Sequence, residues 1–223
     1  MSRCMRVVVA DVGLGNLRSV ERALREAGRG RNTNVEVTRD PARIRGADRL
    51  VMPGQGAFRD CSRALAEGGL GDAVRAHLES RRPYLGICLG LQVLFASSEE
   101  APGCGGLGVA EGRVVRLRGG VDAATGAKLE VPHVGWNTVA PPPPESGTRR
   151  GLLHLLPEGA PRYFYFVHSY VVVPTDPGIV AATTEHGERF VSAVAFDNVF
   201  ACQFHPEKSA REGLALLERF LAS

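Results

Sequence analysis

The chain of 223 residues is 44% hydrophobic and carries a formal net charge of +3. This length and apolar content favour one sizeable core, so we expect a single domain over residues 1–223. The modest charge argues against a nucleic-acid or membrane partner. No apolar run approaches the length of a membrane span and the N-terminus lacks a signal-peptide layout, so we expect a soluble, cytoplasmic protein.

The cysteines and histidines give no metal signature. Five cysteines are scattered along the chain without C-x-x-C spacing, which disfavours a disulfide framework and a zinc site and fits a reducing compartment. His133 and His168 are too far apart in sequence to form a ligand motif. His77 and His186 lie in polar surroundings, and we expect both to be solvated. We therefore predict no metal and no cofactor.

The first hundred residues alternate strand and helix patterns. The β-branched run from Arg6 to Asp11 is typical of a strand that is buried on both faces of a parallel sheet. The same periodicity arguments predict two more strands at Val35–Val37 and Arg49–Met52, and helices at Leu17–Ala27, Phe58–Ala66 and Leu70–Ser80. This alternation predicts a doubly wound, mostly parallel sheet with flanking helices. Its ligand site should lie at the carboxyl ends of the strands.

The first turn contains glycines at the spacing of a dinucleotide-binding loop. Gly13 and Gly15 fit that pattern, but Arg18 stands where a third glycine is needed for close packing of helix on strand. We therefore favour a tight turn with Asn16 near the start of the helix.

A cysteine follows the next predicted strand. Cys88 lies between the apolar run Tyr84–Ile87 and the helical pattern Leu89–Phe95, and Gly86 and Gly90 flank it in a G-x-C-x-G motif. The serine version of this motif is a nucleophile elbow, a strained turn that needs small flanking residues. A thiol at a helix N-terminus is also favoured as the reactive thiolate. On this motif alone, a buried structural cysteine is an equally good interpretation.

The second half is rich in strand patterns and predicts antiparallel sheet added to the parallel core. The patterns cover Arg113–Leu117, Leu129–Pro132, Trp136–Val139, Tyr163–Val173, Ile179–Thr184, Ala193–Phe196 and Phe200–Phe204. Gly119–Gly126 and Pro141–Thr148 are predicted to be surface loops. A final helix is predicted from Ser209 to Ala222.

One histidine is well placed to act as a base. His205 follows the last strand pattern, so it should lie at the same sheet edge as Cys88, and Pro206-Glu207 comes next. Cys88, His205 and Glu207 are therefore a candidate nucleophile, base and orienting acid. A histidine that only caps the strand end is the alternative.

These motifs resemble the class I (triad) glutamine amidotransferases. The resemblance is carried by Gly86–Gly90, by Gln203–Glu207 and by the distance between them. Within the family, it is closest to the glutaminase subunits that supply ammonia to a (β/α)8-barrel cyclase in histidine biosynthesis. The segments that indicate this are Asp11–Val20, Pro53–Phe58, Val131–Asn137, Tyr165–Tyr170 and Pro206–Ser209.

The resemblance implies a fold, a reaction and a set of site residues. The fold is flavodoxin-like, and glutamine is hydrolysed to glutamate and ammonia through a thioester on Cys88, with His205 as base and Glu207 as orienting acid. The oxyanion hole uses the backbone amide of Leu89 and one amide of the Pro53–Gly56 loop. The residues of that loop assigned to the hole are Gln55 and Gly56, and those assigned to glutamine binding are Gly54, Gln92, His168 and Ser169.

The resemblance also implies a heterodimer. The partner is the barrel cyclase, which makes imidazole glycerol phosphate and AICAR, and the Pro-Gly loop completes the oxyanion hole only when that partner is loaded. The implied interface residues are Asn16, His133, Trp136, Asn137, Tyr165 and Lys208. The chain departs from the family pattern at Val12, where an aromatic residue is common, and at Gln55, where valine is commoner.

Two other interpretations stay open on the sequence alone. The chain could be the amidotransferase subunit of another pathway, although Pro132–Asn137 and Tyr165–Tyr170 argue against it. It could also be a cysteine peptidase-like or inactive binding module on the same fold. That class predicts no glutamine hydrolysis and no dependence on a barrel partner.

Overall fold

The computed structural model describes residues 3–121, 125–141, 151–156 and 162–223. Five parallel strands form the centre of the molecule: β1 (Met5–Ala10), β2 (Thr33–Thr38), β3 (Arg49–Gly54), β4 (Tyr84–Cys88) and β13 (Val199–Cys202). They lie side by side in the order β2-β1-β3-β4-β13. The predicted doubly wound parallel sheet is therefore confirmed.

Antiparallel strands extend this sheet beyond β13, as predicted. They are β5 (Gly112–Arg116), β10 (Tyr170–Pro174), β11 (Val180–Glu185) and β12 (Arg189–Phe196). The order continues β13-β12-β10-β5, and β11 also pairs with β12, which makes nine strands in all among the described residues. Two small separate sheets pair β6 (Gly120–Val121) with β7 (Lys128–Leu129), and β8 (His133–Val139) with β9 (Arg162–His168).

Six α-helices accompany the strands in the part of the chain that the structure describes. They are α1 (Leu17–Ala27), α2 (Pro41–Arg45), α3 (Phe58–Ala66), α4 (Leu70–Glu79), α5 (Leu89–Gln92) and α6 (Ala210–Ala222). Short 3-10 helices cover Leu152–Leu155, Pro177–Ile179 and Pro206–Lys208. Within the described ranges, no helix has both the length and the apolar character that a bilayer crossing requires.

The sheet is covered on both faces, as its continuous apolar strands require. One hydrophobic cluster includes Val20 and Leu24 of α1 and Leu217 of α6. The other includes Phe58 of α3 and Val74 of α4. The predicted turn before α1 is also present, and the Asn16 side chain caps the helix by accepting a hydrogen bond from the Ser19 amide at 3.2 Å.

Several boundaries differ from prediction. The pattern Tyr163–Val173 was expected to be strand throughout, but it divides at Ser169 into β9 and β10, which belong to different sheets. Both halves are apolar, and only the polar pair His168-Ser169, without glycine or proline, stands at the break. The sequence pattern therefore does not show that the two halves enter different sheets. The strand expected at Leu129–Pro132 is reduced to Lys128–Leu129. Most of the loop predicted at Pro141–Thr148 lies outside the described residues.

The structure also differs from prediction in the presence of one helix, the end of another and the burial of one histidine. Helix α2 was not predicted, because five residues are too few to show a period; it begins at Pro41 and is capped by Asp40. Helix α5 was expected to reach Phe95 but ends at Gln92. His77 is buried rather than solvated: its Nε2 lies 3.1 Å from the Pro83 carbonyl, and burial lowers its pKa to about 4.

The elbow around Cys88 is tightly packed against the neighbouring strands. A methyl group on Gly90 would overlap the carbonyl oxygen of Met52 on β3. One on Gly86 would lie 2.9 Å from the Ala201 Cβ on β13. These two glycines therefore let the elbow pass between β3 and β13, as the motif predicts.

We expect Gly90→Ala to lower the free energy of unfolding by about 4 kcal/mol or more, because its new methyl group meets backbone that cannot move independently. Gly105→Ala is the matched control, since the nearest heavy atom to its methyl group would be 3.7 Å away. That variant should stay within about 1 kcal/mol of the wild type. Urea unfolding measures both values, and equal stabilities would contradict the packing argument.

Candidate active site

Cys88 ends β4 and directly precedes α5. Its backbone has φ 55° and ψ −102°, which is a strained conformation for a residue with a side chain. The residue is 6% exposed. Such a turn holds the side chain away from the sheet and toward the open end of the strands, which is the geometry of a nucleophile elbow.

His205 and Glu207 lie beside Cys88 because β13 is the parallel neighbour of β4. Cys202 is in register with Ile87, so the residues that follow each strand emerge at one edge. His205 Nδ1 is 2.8 Å from Glu207 Oε1, and the two side chains are 1% and 3% exposed. This contact directs Nε2 away from Glu207, and Nε2 is buried without a hydrogen-bond partner among the described residues.

The charge state of His205 depends on its two neighbours. Burial alone would lower its pKa, but interaction with an ionised Cys88 sulfur and with the Glu207 carboxylate outweighs burial and raises the pKa to about 9. Beside a thiolate, the ring is therefore an imidazolium at neutral pH, and it can later give up its proton.

One buried amide lies against the same sulfur, and a second buried amide lies behind the first. Gln203 Nε2 is 3.4 Å from Cys88 Sγ, and Gln203 Oε1 is 3.1 Å from Gln92 Nε2. Gln92 Nε2 is also 3.2 Å from the Tyr170 carbonyl oxygen. Gln203 belongs to the motif that contains His205, but the motif gave it no role, so this contact was missed.

A cavity of about 360 Å³ opens beside the cysteine. It is lined by several of the predicted site residues: Gln55, Gly56, Cys88, Leu89, Gln92, His168 and Ser169. Gly54 does not line the cavity, but it lies next to Leu89, which does. A methyl group added to Gly54 would be 2.7 Å from the Leu89 Cβ. Glu100 also lines the cavity, where it accepts a hydrogen bond from the Phe58 amide at 3.0 Å. Nothing in its sequence neighbourhood suggested this position.

The expected oxyanion-hole residues surround the cysteine. Leu89 is the first residue of α5, so its amide has no partner within the helix. The opposite loop turns at Gly56, which has φ 131°, a value that favours glycine. The turn before α1 packs against this loop, since a methyl group on Gly15 would come within 3.0 Å of the Gln55 amide.

His168, which lines the cavity, begins a chain of hydrogen-bonded neutral side chains. His168 Nδ1 is 3.0 Å from the Tyr170 carbonyl, and His168 Nε2 is 3.0 Å from His133 Nδ1. Asn137 Nδ2 continues the chain at 3.2 Å from His133 Nε2. Burial lowers the pKa of His133 to about 4 and that of His168 to about 3. His186, expected to be solvated, is half-buried and stacks on His133 at 4.0 Å.

The six expected interface residues are not equally accessible. Trp136 is 53% exposed, and its ring lies 6.2 Å from that of Tyr165, over which Lys208 Nζ lies at 5.8 Å. Asn16 is exposed at the α1 cap, and Asn137 is half-buried. His133 is 3% exposed and lies behind this surface, so an incoming chain could not reach it directly.

The described residues suggest no metal site. All five cysteines are free, and no group of three or more His, Cys, Asp or Glu side chains among these residues could hold a metal ion.

Comparison with known proteins identifies the chain's relatives. The family profile described as glutamine amidotransferase class-I matches residues 8–223. The protein named imidazole glycerol phosphate synthase subunit HisH from Syntrophotalea carbinolica is 46% identical over 217 residues, covering 96% of this chain and 98% of that protein. The subunit of the same name from Aquifex aeolicus is 45% identical, covering 97% and 96%.

Solved structures show the same fold at lower sequence identity. PurLQS from Thermotoga maritima matches with a TM-score of 0.70 and 16% identity over 99% of each chain. A structure described only as a glutamine amidotransferase matches with a TM-score of 0.67 and 24% identity over 97% of each. At these identities the likeness shows the fold alone.

The raised pKa of His205 predicts how stability depends on pH. A histidine whose pKa is higher in the folded than in the unfolded chain contributes stability below about pH 6.5 and loses it as the pH rises through about 9. The stability difference between wild type and Glu207→Gln should therefore shrink between pH 7 and pH 9.5. Urea unfolding at several pH values measures it. Glu212→Gln is the control, because it removes a carboxylate that pairs with Arg162 and not with His205. The stability difference between wild type and Glu212→Gln should therefore stay constant between pH 7 and pH 9.5.

Proposed function

The chain belongs to the glutamine amidotransferase class-I family, and from that premise we propose that it is the glutaminase subunit of an imidazole glycerol phosphate synthase. The observation that carries the activity is the buried contact of His205 with Glu207, next to Cys88, which itself lines the cavity. Near full-length relatives named as HisH support the pathway.

In the proposed reaction, the Cys88 thiolate attacks the side-chain carboxamide carbon of glutamine. His205 gives its proton to the departing nitrogen, so ammonia leaves and a thioester remains. His205 then takes a proton from water, whose oxygen attacks the thioester carbon, and glutamate and the cysteine are released. Glu207 holds the imidazole in the required tautomer throughout.

The cavity suits glutamine in charge as well as in size. Both N–H groups of Gln92 are occupied, by Tyr170 and Gln203, so Gln92 can meet the substrate only as an acceptor through its carbonyl oxygen. Glu100 brings a carboxylate into the same space, which suits the α-ammonium group of the substrate. The Leu89 amide and an amide at Gln55 or Gly56 would stabilise the oxyanion.

The product explains the need for a partner. Ammonia that escapes into water becomes ammonium, which has no lone pair to react, so it must pass directly to a second site. The outer face of β8 and β9 is suited to docking, because Val134, Trp136 and Tyr163 are each more than half exposed there. We propose that a (β/α)8-barrel cyclase covers this face, with Trp136, Tyr165 and Lys208 in contact.

We expect Cys88→Ala to release no glutamate from glutamine, because the thioester cannot form. The assay is glutamate production by the purified chain with the cyclase and its acceptor nucleotide. Cys104→Ala is the matched control, since that thiol lies away from the cavity lining, and it should keep wild-type rates. Full activity in Cys88→Ala would remove Cys88 from the reaction.

Glutaminase activity should also depend on the partner. We expect slow turnover by the chain alone and an increase of about a hundredfold or more with the cyclase and its nucleotide, which is the usual effect of one oxyanion-hole donor. Initial rates with and without the two additions measure the increase. Fast turnover by the isolated chain would contradict this gating.

The docking face is tested by a single substitution. Trp136→Ala should weaken binding of the cyclase by about thirtyfold or more, because a buried tryptophan at an interface is commonly worth about 2 kcal/mol. Val173→Ala is the control, since Val173 is 40% exposed on β10, outside the β8–β9 pair. Titration calorimetry gives both affinities, and equal values would place the cyclase elsewhere.

A further inference from the structure

The buried amide of Gln203 touches the cysteine but takes no part in the steps described above. The residue is fully buried, and its backbone amide donates to the Ser192 carbonyl at 2.9 Å. Its side chain lies between Cys88 Sγ at 3.4 Å and Gln92 Nε2 at 3.1 Å. Holding a glutamine side chain in one conformation costs conformational entropy, and hydrogen bonds to both of its polar atoms offset that cost here.

The orientation of this amide follows from one backbone carbonyl. The Tyr170 oxygen can only accept a hydrogen bond, so the Gln92 atom that lies 3.2 Å from it must be the NH2 group. That same NH2 group faces Gln203, which must therefore present its oxygen there. The NH2 group of Gln203 is left facing the sulfur. Rotating Gln92 by half a turn would set its oxygen against the Tyr170 oxygen, and rotating Gln203 would set two NH2 groups against each other.

We propose that Gln203 is a positioning residue for the nucleophile, donating an N–H hydrogen bond to Cys88 Sγ and thereby favouring the thiolate. Hydrogen bonds to a charged acceptor are stronger than those to a neutral one, so the donor stabilises the thiolate more than the thiol. The inference deepens the proposed function, since it rests on Cys88 being the nucleophile.

The short helix after the elbow gives the sulfur little stabilisation of its own. Helix α5 has only four residues, so it has little of the macrodipole that a long helix would place at the sulfur. Cys88 is also only 6% exposed, so little water can reach its sulfur. The imidazolium of His205 and the amide of Gln203 are then the side chains that can interact with a charge there.

The test measures the reactivity of Cys88 without using glutamine. The rate of alkylation by iodoacetamide is followed from pH 5 to pH 10 by mass spectrometry of the peptide that contains Cys88, which separates it from the other four cysteines. In Gln203→Met the pH of half-maximal rate should rise by about one to two units, because a donor to a charged acceptor is lost. In Gln203→Glu, whose carboxylate faces the sulfur, the rise should be at least as large.

Asn198→Ala is the matched control. Asn198 is also a buried amide, which donates to the Leu78 and Arg82 carbonyls at the opposite end of the β4–β13 pair. Its removal should lower stability but leave the alkylation profile unchanged. The proposal is overturned if the profiles of both Gln203 variants match the wild type, or if Asn198→Ala shifts the profile as far as they do.

Because alkylation needs no substrate, the test gives an answer even if the chain proves not to hydrolyse glutamine. If it does, kcat of the Gln203 variants should fall about tenfold or more while KM changes little, since Gln203 does not line the cavity. A rise in KM with unchanged kcat would instead make Gln203 part of the glutamine site and contradict the proposal.

Discussion

Parallel pairing of β13 with β4 is the constraint on which the site depends. It brings Cys88 next to Gln203, 115 positions later in the chain, and sets Cys202 against Ile87. A slip of one residue would turn every β13 side chain to the other face and would move His205 along the edge. The close approach of the elbow to β3 and β13 resists such a slip, because no larger residue fits at Gly86 or Gly90.

Much of the fold could be predicted because its signals are local. Continuous β-branched runs indicate buried parallel strands, and the glycines around Cys88 indicate a strained turn whatever the rest of the chain does. The errors came where tertiary packing decides. Nothing in the residues near Ser169 shows that β9 and β10 enter different sheets. The burial of His77 is an exception, because His77 shares the buried face of α4 with Ala73 and Val74, so its position in the helical period did indicate burial.

The candidate site divides in the same way. Cys88, His205 and Glu207 could be proposed because each follows a strand in a recognisable motif. Glu100 and Gln203 could not, because their positions at the cavity and at the sulfur depend on contacts between distant segments of the chain. The exposure of the interface residues follows strand alternation: Trp136 and His133 are three positions apart on β8, so one faces outward and the other is buried behind it. The predicted strand began only at Trp136, so this alternation was not applied to His133.

The buried histidines also set the limits within which this architecture can exist. His77, His133 and His168 have lowered pKa values, so the unfolded chain binds protons more readily than the folded one as the pH falls below about 6.5. The pKa of His205 is shifted upward instead, so its contribution to the free energy of unfolding is lost as the pH rises through about 9. Acid therefore acts on the scaffold and the cavity wall, whereas alkali acts first on the reactive centre. The folded state is therefore destabilised at two different places, one by protonation of buried histidines in acid and the other by deprotonation of His205 in alkali.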